Sequence, residues 1–261
     1  MIDIHCHILP GLDDGAQNIE ESLSLSNAAV DEGIAIIFAT PHHQNGHYIN
    51  EKEKVILETE KLQDILKEKK IPLTLVPSQE IRVYSNIIED LKNDRLLLLG
   101  NKYLLLELPP NHIPTNFERI IYEILLLGKI PIIPHPERNA SFRHNPKVLY
   151  KLIEQGALSQ LTAASVIGKF GKDIQKFSLQ CLKHNLSHFI ASDAHNLVSR
   201  GIRLAEAYQL IQRKLGIETV EYLMKNTEYI LEGRDIVSDI PIEIESKKSL
   251  LQYIKRGFFN G

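Results

Sequence analysis

The stretch IDIHCHILPGLDD, residues 2–14, contains the first unit of the fold and its first cluster of polar side chains. A short strand is predicted at Ile2-Asp3-Ile4, and it runs directly into His5-Cys6-His7. A helix is predicted from about Ile19 to Glu32, because Asn18 stands before it as a capping residue. A strand, a polar loop and then a helix form the repeating unit of a parallel α/β fold.

The same unit recurs along the chain. Six further apolar runs predict strands at Ile34–Ala39, Leu73–Val76, Tyr103–Leu108, Ile130–Pro134, Leu158–Thr162 and His188–Ala191. Helices are predicted to begin with caps at Asn50 and Thr115 and with proline in the first turn at Asn145-Pro146. Seven such strands favour a parallel sheet covered on both faces, and 261 residues suffice to close it into a seven-stranded barrel. An open doubly wound sheet is the alternative fold.

The composition limits the classes of protein that fit this sequence. The 30 Lys and Arg residues and 33 Asp and Glu residues leave a formal charge of −3, which disfavours binding to nucleic acid. The two cysteines, Cys6 and Cys181, cannot build a disulfide framework. The N-terminus lacks a signal-peptide pattern, and no apolar run approaches the roughly 20 residues of a membrane span. These features predict a cytoplasmic protein without a transmembrane segment.

The residue pattern changes near Ser238. Residues 240–245 alternate between isoleucine and other residues, and residues 250–259 combine apolar side chains with nearby basic ones. We therefore predict one domain over residues 1–237 and a C-terminal tail over residues 238–261. The tail is interpreted as a packed or frayed terminus, with docking on a partner or a membrane surface as the alternative.

Side chains that can bind metal follow six of the seven predicted strands. Because the carboxyl ends of parallel strands converge on one face, these side chains are expected to share a site. Carboxylates gathered there would repel one another without cations, which favours a multinuclear metal centre. Histidine and carboxylate ligands without thiolate suit Mn, Fe or Zn rather than a structural zinc site. The strand-end residues are His5, His7, His42, Glu80, Glu107, His135, Asp193 and His195.

Other polar residues have simpler interpretations. Asp13 and Asp14 lie in the first loop, where turn formation ahead of the helix is sufficient reason for either of them taken alone. His43 and His47 border the predicted site, and His43 is a candidate for substrate contact or proton donation. Four histidines are interpreted as structural or solvent-facing: His112, His144, His184 and His188.

Seven motifs together resemble a known family. They are DIHCHILPGLDDG, FATPHHQNGHY, SQEIRVY, LLLELP, PHPERN, QLTAASVIGKFG and SDAHNLVSRG, and the match to the family runs from Met1 to about Arg234. The chain resembles the polymerase and histidinol phosphatase (PHP) superfamily. It is more similar still to the bacterial manganese-dependent protein-tyrosine phosphatases of that superfamily, which are linked to capsule and exopolysaccharide synthesis.

The resemblance implies a distorted seven-stranded barrel that holds three metals, with Mn²⁺ as the expected ion and Fe or Zn as alternatives at individual sites. It implies that Arg138 and Arg200 bind the phosphoryl group and act in catalysis. The implied ligands are His5, His7, Glu80 and Asp193 for the first metal, Glu80, Glu107 and His135 for the second, and Asp14, His42 and His195 for the third.

The resemblance also implies a substrate and a partner. The substrate would be the phosphotyrosine tail of a bacterial membrane-associated tyrosine autokinase, which would bring a cytoplasmic phosphatase transiently to the membrane. One alternative is a phosphatase of a small phosphomonoester such as histidinol phosphate. Another is a non-catalytic scaffold that metals stabilise.

Overall fold

The computed structural model describes residues 1–245, and their strands form two parallel sheets. The first sheet has the order β1-β2-β4 and the second the order β3-β5-β6-β7-β8-β9. All pairings within both sheets are parallel, which confirms the predicted parallel α/β architecture. The strands are β1 (Ile2–Cys6), β2 (Ile36–Ala39), β3 (His42–His43), β4 (Thr74–Pro77), β5 (Glu80–Arg82), β6 (Tyr103–Glu107), β7 (Ile130–Pro134), β8 (Leu158–Thr162) and β9 (Phe189–Ala191).

The nine strands of residues 1–245 exceed the seven predicted because a second, short strand follows two of the predicted strands after a break. Thr40-Pro41 separates β2 from β3, and Ser78-Gln79 separates β4 from β5. Pro41 has no N–H to donate to a ladder, which accounts for the first break. After each break the chain joins the other sheet, so β3 and β5 pair with one another, His42 beside Glu80.

The two sheets are also linked through β1. The His5 carbonyl accepts a hydrogen bond from the Asp193 N–H at 2.8 Å, and the His7 N–H donates to the Ala194 carbonyl at 2.9 Å. A parallel bridge joins Cys6 and Ala194 between these bonds. The start of the first sheet therefore lies against the chain that leaves β9, the last strand of the second sheet.

Helices follow most strands. They are α1 (Ile19–Asp31), α2 (Lys52–Glu68), α3 (Ile87–Lys92), α4 (Phe117–Leu126), α5 (Ala140–His144), α6 (Pro146–Glu154), α7 (Ala163–Val166), α8 (Lys172–Lys183), α9 (Leu204–Leu215) and α10 (Ile217–Leu231), and a single 3₁₀ turn spans Pro136–Arg138. Within residues 1–245, none of them is both long enough and apolar enough to cross a bilayer.

One of the predicted caps is confirmed and two are wrong. The Asn18 side chain accepts a hydrogen bond from the Glu21 N–H at 2.9 Å, as expected for an N-cap. In contrast, α2 is capped by Glu51 and α4 by Asn116, neither through its side chain. Asn50 is buried instead, and its amide donates to the carbonyls of Leu12 (2.9 Å) and His42 (2.8 Å). It thereby ties together two loops at the carboxyl ends of the strands.

The apolar core has a large part under the helices and a smaller part on the opposite face of the strands. Ile4, Phe38 and Phe189 belong to the smaller cluster. In β6, Tyr103 and Leu105 also belong to it, and the next residue on their face is Glu107. This cluster therefore supports the layer of polar side chains at the strand ends.

The predicted tail is described only as far as residue 245. Ile244 is buried in the large core cluster, and Lys147 forms an ion pair with Glu243 at 3.1 Å. The described part of the tail, residues 238–245, thus packs on the domain through these contacts. Residues 246–261 lie outside the described residues, so the remainder of the tail prediction stays a prediction.

Candidate metal centre

Four side chains from the end of β1, the start of β5 and the loop after β9 point at one position. His5 Nε2 and His7 Nε2 are 3.1 Å apart, and each lies 3.5 Å from Glu80 Oε2 and 3.5 Å from Asp193 Oδ1. The four side chains are at most 1% exposed. Two nitrogens and two oxygens at these separations form a compact set of donors for one cation.

The opposite ring nitrogens orient these two imidazoles. His5 Nδ1 donates to Gln160 Oε1 at 2.8 Å, and His7 Nδ1 donates to Asp13 Oδ2 at 2.7 Å. Because the amide oxygen and the carboxylate only accept, both Nδ1 atoms carry a proton, and the two Nε2 atoms face one another. Such an arrangement is stable only with positive charge between the rings.

Asp13 has a larger role than turn formation. Its carboxylate also accepts hydrogen bonds from the N–H groups of Gly15 and His42, both at 2.9 Å. Burial raises the pKa of Asp13, but the adjacent His7 and these hydrogen bonds outweigh burial and hold it at about 2. For His7, burial alone would lower the pKa. The carboxylates around the ring outweigh burial and hold this pKa well above its usual value. The site therefore favours a cation, either a proton or a metal.

Glu80 is the central carboxylate. Its Oε2 lies 2.8 Å from His42 Nδ1, and its Oε1 lies 2.9 Å from His135 Nε2. Glu107 Oε2 is 3.7 Å from the same His42 nitrogen. Burial raises the pKa of Glu80, but His5 and His42 hold it well below its usual range, so Glu80 is ionised.

Arg82 binds the outer carboxylate of this group. Its Nε and Nη2 donate to the two oxygens of Glu107 at 2.8 and 3.0 Å, a bidentate pair between neighbouring strands. Sequence reasoning did not single out Arg82 or Gln160. The only signal for Arg82 was its place two residues after Glu80 in a strand, which puts both side chains on one face.

A third group lies at the open side of the cluster. Asp14 Oδ1 is 3.4 Å from His42 Nε2 and 3.5 Å from His195 Nε2, and the His7 and His195 rings are 3.7 Å apart between centroids. The Asp14 side chain is 49% exposed, whereas the histidines are buried. The adjacent imidazoles of His195 and His42 hold the pKa of Asp14 well below its usual value. Burial and the neighbouring His7 lower the pKa of His195 to about 4.

Both predicted phosphate-binding arginines contact Asp193. Arg200 Nη2 donates to the two Asp193 oxygens at 2.9 and 2.8 Å, and Arg138 Nη1 donates to Oδ2. The Arg138 guanidinium also lies over the Phe170 ring, 5.4 Å from its centroid. Burial raises the pKa of Asp193, but Arg200 and His5 hold it well below its usual range. The arginines are a third and a quarter exposed, so their outer edges face solvent.

Two of the ligand-type residues have unusual backbone angles. His135 and Asp193 have φ values of 38° and 50°, in the left-handed region that residues other than glycine rarely adopt. Each follows a strand, β7 and β9, and the reversal turns its side chain into the cluster. Such strain is held only where the surrounding structure over-determines it, and it is common at functional sites.

The structure does not bring His43 to the cluster. Neighbouring residues in a strand face opposite sides, so His43 points away from the face that His42 occupies. Its Nδ1 donates to the Asn50 carbonyl at 2.9 Å, and its ring meets Tyr84 edge-on at 6.2 Å. The substrate role of His43 stays a prediction, and His47 is exposed in the loop beyond it.

The four histidines interpreted as structural or solvent-facing are exposed or make hydrogen bonds with the backbone. His144 and His184 each donate Nδ1 to the backbone carbonyl four residues earlier, at 3.0 and 2.9 Å. His112 is exposed. His188 is buried under the sheet, where its Nδ1 accepts a hydrogen bond from the Ser159 N–H at 3.1 Å.

The donor chemistry fits divalent metals. Three buried atoms, His42 Nδ1, Glu80 Oε2 and His195 Nε2, lie close to other ligand-type side chains but make no hydrogen bond of regular geometry among residues 1–245. Buried polar atoms are rarely left unpaired, so these atoms are suited to hold a cation. Ligand atoms within 4.8 Å of one another form three sets: His7, Asp14, His42 and His195; His5, His7 and Asp193; and His42, Glu80 and Glu107.

A parallel α/β fold with five imidazoles and four carboxylates gathered at its strand ends defines a metal-binding α/β protein. A family model described as capsular polysaccharide synthesis, CpsB/CapC, matches residues 1–232, and the chain belongs to this family.

Relatives extend over nearly the whole chain. The tyrosine-protein phosphatase YwqE of Bacillus subtilis is 44% identical over 249 residues, which are 95% of this chain and 98% of that protein. The tyrosine-protein phosphatase CpsB of Streptococcus agalactiae serotype III is 31% identical over 244 residues, 90% of this chain and all of that protein. A solved structure from work on YwqE of B. subtilis and CpsB of Streptococcus pneumoniae, described as unique metal-dependent tyrosine phosphatases, superposes with a TM-score of 0.92. It has 43% identity and covers 94% of this chain and 100% of that one.

Proposed function

We propose that this chain is a metal-dependent tyrosine-protein phosphatase that hydrolyses phosphotyrosine on a bacterial tyrosine autokinase and thereby regulates capsular or exopolysaccharide synthesis. The observation that carries the proposal is one cluster of nine ligand-type side chains, one of which, the buried Asp193, also binds two arginines. Full-length relatives named as tyrosine-protein phosphatases support the choice of substrate.

We assign the ligands to three Mn²⁺ ions. Bound metals would supply Lewis acidity and a water ionised near neutral pH. Glu80 lies between the first two sets, as its contacts with His5 and His135 indicate. The proposed sets are His5, His7, Glu80 and Asp193; Glu80, Glu107 and His135; and Asp14, His42 and His195.

Arg138 and Arg200 would bind the phosphoryl group. Without metals they neutralise Asp193, and a metal bound to that carboxylate would leave their guanidinium edges available for phosphoryl oxygens. A planar guanidinium binds two such oxygens at once and stabilises charge that develops during transfer. Their partial exposure leaves room for a substrate approaching from solvent.

The leaving group favours tyrosine. The phenol of tyrosine has a pKa of about 10, far below that of the serine alcohol. Departure of the tyrosine oxygen therefore depends less on a general acid than departure of the serine oxygen does. The chain then needs no proton donor in contact with the leaving oxygen. The proposed role of His43 as such a donor is tested by His43→Gln, which should reduce turnover if the imidazole takes part.

The finer fold and setting are part of the same proposal. Counting β2 with β3 and β4 with β5 as single positions, the two sheets form one distorted barrel of seven strand positions, a view supported by the bonds between β1 and the chain after β9. The protein would act in the cytoplasm and reach the membrane through its kinase partner.

The proposal is tested by measuring phosphate release from a phosphotyrosine peptide in chelator, Mn²⁺, Mg²⁺ and Zn²⁺, with histidinol phosphate as the competing substrate. Release should require metal and favour the peptide. His5→Ala and Asp193→Ala should abolish it, while the exposed His112→Ala should retain it. No release under any metal, or a preference for histidinol phosphate, would contradict the proposal.

A further inference from the structure

A cavity of about 720 Å³ lies between α5 and the beginning of α8. We call it the basic groove, because Arg143, His144, Lys172 and Lys176 line it and Asp173 is the only acidic residue in its lining within residues 1–245. Ile174 and Phe177 provide apolar lining.

The cationic side chains of the basic groove form no ion pair with the acidic residues that the structure describes. Among residues 1–245, no carboxylate lies within 4 Å of the charged nitrogens of Lys172, Lys176 or Arg143. Both lysines are exposed, and Arg143 donates Nη1 to the Glu137 carbonyl at 2.8 Å, which leaves the rest of its guanidinium available. Three cations against Asp173 make this surface positive in a chain with a formal charge of −3.

The basic groove begins one side chain away from Arg138. Phe170 lines the groove, and the Arg138 guanidinium lies 5.4 Å from the centroid of its ring. Arg143 holds the carbonyl of Glu137, the residue that precedes Arg138. An extended peptide advances about 3.3 Å per residue, so a chain whose phosphotyrosine meets Arg138 can place its next few residues in the groove.

We propose that the basic groove binds anionic residues, either further phosphotyrosines or Asp and Glu, that flank the phosphotyrosine being hydrolysed. This inference rests on the proposed tyrosine phosphatase function and adds the substrate class that the chain prefers. Exposed charge pairs speed encounter and add modest affinity, and both effects weaken as salt rises. The groove thus selects acidic or multiply phosphorylated tails over isolated phosphotyrosine.

The test compares the double variant Lys172→Gln/Lys176→Gln with the control Lys151→Gln/Lys183→Gln, whose exposed lysines lie on α6 and α8 outside the groove. Substrates are a phosphotyrosine peptide with acidic flanks, the same peptide with alanine flanks, and free phosphotyrosine. The groove variant should lose roughly 3- to 10-fold in kcat/KM on the acidic peptide, mainly through KM and less at high salt. Equal losses on all three substrates, or the same loss in the control, would overturn the inference.

A binding measurement separates this inference from the proposed function. If the unmodified chain hydrolyses no phosphotyrosine peptide, the proposed function fails. Affinity for a labelled acidic peptide that carries a non-hydrolysable phosphonate in place of the phosphate still tests the groove. Weaker binding by the groove variant alone supports the inference, and equal binding by both variants overturns it.

Discussion

At the scale of single residues, the metal centre depends on side chains that are not ligands. Asp13 and Gln160 orient the two imidazoles at the end of β1, and Arg82 holds Glu107 in a bidentate pair. A ligand alone has several rotamers and, for histidine, two tautomers, and these partners select one of each. The cluster is therefore organised before a metal binds.

Asp13→Asn should weaken metal binding by roughly 10- to 100-fold, because His7 loses the charge that orients its ring and raises its basicity. Calorimetric titration of the metal-free protein with Mn²⁺ measures the change directly. Asp64→Asn, at an exposed residue of α2, is the matched control. Unchanged Mn²⁺ affinity in Asp13→Asn would show that His7 is oriented by packing alone.

Arg138→Lys should reduce turnover of a phosphotyrosine peptide by at least about tenfold, although the charge is retained. Lysine cannot bind two phosphoryl oxygens in one plane, nor stack on Phe170 as the guanidinium does. Steady-state kinetics with saturating metal gives the result, and the melting temperature serves as a check on folding. Near-full turnover would mean that only the charge at this position matters.

At the scale of elements, the site depends on how closely the loops approach the strand ends. Asn50 joins the β3 segment to the loop after β1, and Gly15 lies against His7 in that loop. The breaks between β2 and β3 and between β4 and β5 move His42 and Glu80 onto adjacent strands. The positions of the metal ligands therefore depend on how the loops pack as well as on the strands.

Gly15→Ala should destabilise the protein by about 1–3 kcal/mol and disturb the metal centre. A Cβ at this position would lie 2.2 Å from the His7 carbonyl oxygen and 2.5 Å from His7 Cβ, so the backbone must shift. Urea unfolding and Mn²⁺ titration measure the two effects. Gly201→Ala is the control, because its Cβ would meet only ordinary contacts at 3.5 Å or more. Equal stability of the two variants would refute the close-packing argument.

At the scale of the whole molecule, stability depends on groups far from the metal centre as well as on the cluster. His188 is buried below the sheet, and burial lowers its pKa to about 4. The unfolded chain has a histidine pKa of about 6.5, so it binds a proton between pH 6.5 and 4 that the folded chain does not. Stability conferred by the neutral ring is present above this range and is lost as the pH falls through it.

Acidification from pH 7 to pH 5 should therefore cost the folded protein about 2 kcal/mol through His188. In His188→Asn, whose amide oxygen can still accept from the Ser159 N–H, this part of the pH dependence should disappear. Urea unfolding at pH 5, 6 and 7 in the presence of chelator compares the two proteins. Parallel pH profiles would show that His188 does not carry the effect.

The sequence by itself determined the fold class and the positions of the ligand-type residues. Strands with continuous apolar runs can only be buried on both faces, and the carboxyl ends of parallel strands meet at one edge. That regularity is why eight residues, from His5 to His195, could be assigned to one site from the sequence. Asp14, the ninth, was assigned only through the resemblance to a known family. The cap at Asn18 was equally predictable, because capping is a local interaction.

Only the tertiary structure decided how those residues meet. The pairing of Arg82 with Glu107 depends on the register between β5 and β6, and the direction of His43 depends on the short strand that follows Pro41. Asn50 was predicted as a cap from its neighbours, yet the folded chain uses it to hold Leu12 and His42. Each of these contacts joins residues far apart in sequence, and their geometry is set by packing of the whole domain rather than by local propensity.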